Sequence, residues 1–77
     1  MIDIPKKLIT IIANYLCIDK TIIKLSDRFE NDLGADSLDM IELLMAIEDE
    51  FNITVNDEET IMIDTVEKAI KLVESKV

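Results

Sequence analysis

Apolar residues recur at helical spacing in three parts of this chain and lose that spacing between them. From Asp3 onward, Ile4, Leu8, Ile11, Ile12 and Tyr15 follow the 3.6-residue period, which predicts a first helix over residues 4–16 with Asp3 as its N-cap and Pro5 tolerated in the first turn. Residues 17–36 show no sustained period and close on Leu33-Gly34-Ala35-Asp36, where the only glycine permits a turn that other residues resist. This segment is expected to be a long loop pinned to the core by Ile22, Ile23, Leu25, Phe29 and Leu33.

Ser37 to Glu50 is the strongest helical stretch, free of Gly and Pro and rich in Leu, Met, Ala and Glu. The β-branched "FNITVN" that follows is too isolated to pair into a sheet. It leads to "DEET", which predicts a short third helix capped by Asn56 or Asp57. Thr65, Val66, Ala69, Ile70 and Val73 then repeat at helical spacing, with Thr65 or Asp64 as cap and Lys71 and Lys76 near the C-terminal end, where cations suit the helix dipole. The expected fold is all-α: a small four-helix bundle of three main helices and one short one, with a long loop between the first and second, forming one domain over residues 1–77.

Two faces emerge when Ser37–Glu50 is turned by about 100° per residue. Met40, Leu43, Leu44, Ile47 and Phe51 gather on one side as the core face, while Leu38, Ile41 and Met45 form a second stripe well rotated from it. One alternative is that the second stripe is also buried, as in a central helix. Glu42, Glu48 and Asp49 bracket it, however, and would be costly to bury unpaired, so a contact surface with an acidic rim is favoured.

The N-terminus of this helix raises the question of what Ser37 does. As an N-cap it would put Met40 at the third helical position, a weak capping box. With Asp36 as N-cap, Asp39 takes that position, where a carboxylate favours the positive end of the helix, and the Ser37 hydroxyl is left exposed and uncommitted.

Charge narrows the partners. The formal net charge is −9, and thirteen carboxylates lie between Arg28 and Lys68 with no Lys or Arg among them. Nucleic acid and anionic membrane surfaces are disfavoured by sign, and a basic protein surface is the complement. The apolar fraction, 49%, is mostly Ile and Leu, and a chain of 77 residues buries only about 60% of its unfolded surface, so a modest aliphatic core is expected.

No apolar run approaches the ~18 residues of a membrane span. A single cysteine, Cys17, makes no intrachain disulfide, and no signal-peptide pattern opens the chain; the expected compartment is the cytoplasm. Cys17 itself is expected as a small apolar residue ending the first helix. An EF-hand loop with Gly34 at its sixth position would need ligands at Phe29, Leu33 and Met40, which excludes that motif, and no metal site is expected.

The motif "DLGADSL", the "ELLMAIEDEF" that follows it, and then "DEE" and "TVEKAI" together resemble acyl carrier proteins of the stand-alone, fatty-acid-synthesis type, over nearly the whole chain. Asn56 departs from the proline that many members place before the short helix, and "IMID" is more apolar than usual there. The resemblance implies a 4′-phosphopantetheine arm on Ser37, attached from coenzyme A by a phosphopantetheinyl transferase, and acyl chains carried as thioesters to enzymes of fatty acid synthesis that dock through basic patches. Asp36, Leu38, Asp39, Ile41, Glu42, Met45, Glu48 and Asp49 are then the candidate partner-binding residues, and Leu44, Ile47, Ile61 and Ile63 the candidate acyl-chain pocket. A monomer that is not itself an enzyme is implied: the chain has no histidine, and nothing near Ser37 in sequence offers a base or oxyanion hole, so the serine is a substrate. A carrier for polyketides or other lipid precursors, and an unmodified acidic adaptor, are the alternatives.

Overall fold

A computed structural model describes residues 3–77. Helix α1 spans Ile4–Leu16, a 3₁₀ turn Lys20–Ile22, α2 Ser37–Phe51, α3 Asp57–Met62 and α4 Val66–Lys76. Asp3 caps α1 by accepting from the Lys6 N–H, with Pro5 in the first turn, and α1 packs its Leu8/Ile12/Ala13 face against α2 and α4. Among the described residues the only strand-like pairing is a lone antiparallel bridge between Arg28 and Thr65.

Leu8, Ile12, Leu43, Val66, Val73 and Phe29 form the fully buried centre. Five of the six are aliphatic residues from the three long helices. Phe29 comes from the loop and contributes roughly 1.5–3 kcal/mol by its burial, fastening an otherwise irregular segment to the core. Ile23 is buried as well and Leu33 half-buried, as expected. Two of the expected pins fail: Ile22 is 61% and Leu25 47% exposed. Ile22 ends the tight 3₁₀ turn just before buried Ile23, so the two neighbours cannot share a face.

At Leu25 the tie is made by the backbone. The first N–H groups of α4, which no helical carbonyl can serve, are taken up by the loop: Val66 donates to Asp27 O at 3.0 Å and Glu67 to Leu25 O at 3.0 Å. Lys68 N–H reaches the Thr65 hydroxyl at 3.3 Å, so the start of α4 and the path of the loop are one hydrogen-bonded unit. The short α3 buries no side chain fully. It is held by a reciprocal capping box between Asn56 and Glu59 and by an ion pair from Lys76 of α4 to Glu59 at 3.0 Å. These contacts, first the Asn56 N–H and then Lys76, keep the Glu59 carboxyl below its ordinary value.

Cys17 ends α1 as expected but does not pack as an apolar residue. It is exposed, and as the C-cap of α1 it adopts a left-handed conformation with φ 57°, which L-residues other than Asn and Asp resist. Tyr15, placed by periodicity on the apolar face of α1, is also 46% exposed.

Candidate functional site

The residues Asp32 to Asp36 of "DLGADSL" together set the chain path that leads to Ser37. Asp32 accepts from the Arg28 N–H at 2.7 Å, and Arg28 O in turn accepts from the N–H groups of Asp32 and Leu33, closing a compact turn. Gly34 turns the chain at φ 75°; an added Cβ would meet nothing within 4 Å, so glycine is required there by conformation and not by space. Ala35 is buried and donates to Phe29 O at 2.8 Å, which ties the turn to the core.

Asp36 then caps α2: its Oδ1 accepts from the Asp39 N–H at 2.8 Å, while Asp39 Oδ2 accepts from the Asp36 N–H at 3.1 Å. The register expected from sequence is therefore the one observed. Ser37 stands at the first helical position, exposed, and its hydroxyl makes no hydrogen bond among those of the described residues.

The second stripe of α2 lies on the surface: Leu38 is 61%, Ile41 56% and Met45 62% exposed. Leu43, Leu44, Ile47 and Phe51 are buried opposite, with Met40 between the two faces. Glu42 and Asp49 are exposed as a rim. Glu48 is not a free rim charge, because it is half-buried and its Oε2 accepts from the Val55 N–H at 2.9 Å, bracing the chain after α2.

A crevice of ≈450 Å³ opens beside Ser37, walled by Met40 and Ile41 of α2, Thr60 and Ile61 of α3, Ile63, and Arg28 and Phe29 of the loop. It divides the expected acyl-pocket residues. Ile61 and Ile63 border it, although Ile61 is 83% exposed and not an interior residue. Leu44 and Ile47 do not border it; they are closed into the core cluster with buried residues of α1 and α4. The crevice residues that periodicity missed, Arg28, Met40 and Thr60, come from three different elements. A larger, shallower hollow of ≈820 Å³ lies between α1 and the C-terminal half of α2, with Tyr15, Met45 and Asp49 on its walls. It contains no residue of the "DLGADSL" motif.

Fold and site together define a small helical domain that presents an exposed serine hydroxyl, without a hydrogen-bond partner among the described residues, at a helix start, with an apolar, acid-rimmed face running away from it. The sequence matches the family described as phosphopantetheine attachment site over residues 6–73. It is 43% identical over 75 residues to the acyl carrier protein of Cyanidium caldarium, covering 97% of this chain and 87% of that one. It is 42% identical over 74 residues to that of Prochlorococcus marinus, covering 96% and 92%. The structure is similar to an acyl carrier protein of Enterococcus faecalis, with a TM-score of 0.83, 29% identity, and coverage of 97% of this chain and 95% of that one. The chain belongs to the acyl carrier protein family, whose prosthetic group is 4′-phosphopantetheine.

Proposed function

We propose that residues 1–77 act as one cytoplasmic carrier domain, not itself an enzyme, in which Ser37 takes the phosphopantetheine arm and the exposed face of α2 brings acyl cargo to enzymes of fatty acid synthesis. The observation that carries this reading is the Ser37 hydroxyl. It is exposed and free of hydrogen bonds because Asp36 and Asp39 have already satisfied the start of α2.

The residues present fit the group: a free hydroxyl at the edge of an open crevice whose apolar walls are joined by Arg28 and by the carboxylates Glu30 and Asp64. Attachment forms the bond from Ser37 Oγ to the phosphorus bearing pantetheine. It breaks that phosphorus–oxygen bond of the coenzyme A pyrophosphate, expels adenosine 3′,5′-bisphosphate and gives the hydroxyl proton to a base of the transferase. The chain supplies no base of its own, which suits a substrate serine. When bound, the arm supplies a terminal thiol that holds acyl groups as thioesters. Leu38, Ile41 and Met45 give the docking face its apolar centre, Glu42 and Asp49 its acidic rim, and basic patches on the transferase and the synthesis enzymes are the complement. An acyl chain not held by an enzyme enters at Ile61 and Ile63, and the core parts at Leu44 and Ile47 to admit longer chains.

The test is the intact mass after incubation with coenzyme A and a phosphopantetheinyl transferase. One phosphopantetheine is expected on the wild type and none on Ser37→Ala. A modified alanine variant, or a wild type that several transferases leave unchanged, would transfer the weight to an unmodified acidic adaptor.

A further inference from the structure

Attachment at Ser37 brings together charges of one sign. A phosphodiester on Ser37 adds a negative charge beside Asp36 and Asp39, within an interval of thirteen carboxylates that holds no cation. Among the described residues the ion pairs are Lys7 with Glu50, Lys68 with Asp64, Lys71 with Glu67 and Lys76 with Glu59; Arg28 is in none of them. Arg28 nevertheless borders the same crevice as Ser37.

Its backbone is firmly placed. The N–H donates to Asp32, the carbonyl accepts from Asp32 and Leu33, and residue 28 bridges to Thr65. A cation on an anchored backbone, with its side chain free, thus stands at the edge of the modification site. Asp64, on the same crevice, is already held by Lys68 at 2.9 Å, and its carboxyl lies below its ordinary value chiefly because of that bond, with the charge of Arg28 a minor contributor.

We propose that Arg28 binds the phosphodiester of the arm on Ser37 and so directs the arm along the crevice between α2 and α3. This inference rests on attachment at Ser37. A guanidinium suits the role because its planar fork can meet two phosphate oxygens at once, and it stays charged at any pH the protein meets. The pair is exposed, so its effect is modest and falls with salt. Arg28 is a positioning residue, and the chemistry of the cargo is left to the arm and the partner enzymes.

The experiment is a cycle of apo and holo protein, wild type, Arg28→Ala and Arg28→Lys, with intact mass recorded for every holo sample. Melting temperatures are measured at low and at moderate salt, and the Arg28 Nε–H resonance is followed by NMR in the wild type. Loading should shift that resonance. At low salt the holo-minus-apo melting difference should be roughly 2–5 °C more favourable in the wild type than in Arg28→Ala, intermediate in Arg28→Lys, and compressed by salt. The structural bonds at residue 28 belong to the backbone, so truncation leaves them in place, and the resonance needs no variant at all. Loaded samples with an unmoved resonance, or with equal melting differences in all three proteins, overturn the role of Arg28 and leave the carrier reading intact. Samples that never gain the mass overturn both.

Discussion

Asp36 and Ser37 are adjacent, and the geometry at the start of α2 assigns them opposite energetic signs. Asp36→Ala removes the acceptor of the 2.8 Å bond from the Asp39 N–H and leaves that donor to water. Loss of an N-cap side chain costs typically about 1 kcal/mol, and the lost carboxylate also forgoes its interaction with the helix dipole, worth about 0.3–1 kcal/mol. Relief of repulsion in so acidic a segment offsets part of this, leaving a net destabilisation of about 1 kcal/mol, or a fall of roughly 4–8 °C in melting temperature for a domain of this size. Ser37→Ala removes a hydroxyl with no partner and places a better helix former at the first helical position, so its effect should lie between zero and about 0.5 kcal/mol of stabilisation. Thermal unfolding followed by far-UV circular dichroism separates the two, and intact mass reports modification alongside it. Ser37→Ala should be stable and unmodifiable, Asp36→Ala unstable and slowly modified. The reverse ranking, with Ser37→Ala losing about 1 kcal/mol and Asp36→Ala unchanged, would mean that the serine is the cap and its hydroxyl is not free.

Acyl chains on the modified protein should raise the melting temperature with each pair of methylenes, at up to ~0.8 kcal/mol per buried CH₂, until the space is filled; Ile63→Phe should bring the plateau to shorter chains, and indifference to chain length would place the cargo outside. Glu42→Lys should slow association with the transferase at low salt, a difference that added salt masks, whereas Ile41→Ala should weaken docking at every salt concentration; binding isotherms unmoved by either at low salt would remove α2 as the docking face. Asp19, Glu59 and Asp64 are held below their ordinary values, first by the Thr21 N–H, the Asn56 N–H and Lys68 respectively, so each favours the fold above the ordinary carboxylate range and that contribution fades as pH falls through the lowered value. Glu59→Gln should therefore lose less stability than wild type on acidification below about pH 4, and parallel acid curves would count against this assignment. Cys17→Gly should stabilise by up to about 1 kcal/mol in a denaturant titration, because glycine adopts the left-handed C-cap of α1 without strain; a destabilised variant would mean that the thiol makes a compensating contact.

Periodicity and capping chemistry are local properties, and the elements that depend on them were legible in the residues alone. The helix at Ile4–Leu16, the start of α2 with Asp36 as cap, the short helix after Asn56 and the start of α4 after Thr65 follow from apolar spacing and from side chains three residues from the groups they satisfy. The free hydroxyl of Ser37 follows from the same arithmetic, as does the second stripe of α2, whose exposure the flanking acids foretold. The loop was not legible in this way. Ile22 and Leu25 are as apolar as Ile23, and only the 3₁₀ turn and the carbonyls given to the first N–H groups of α4 decide which side chains face water. Glu48 looks like any rim acid until the chain after α2 folds back and brings the Val55 N–H to it. The crevice is tertiary in the same sense: it draws Arg28 from the loop, Met40 from α2 and Ile61 from α3, and no pattern within one element can announce a space that exists only where three of them meet.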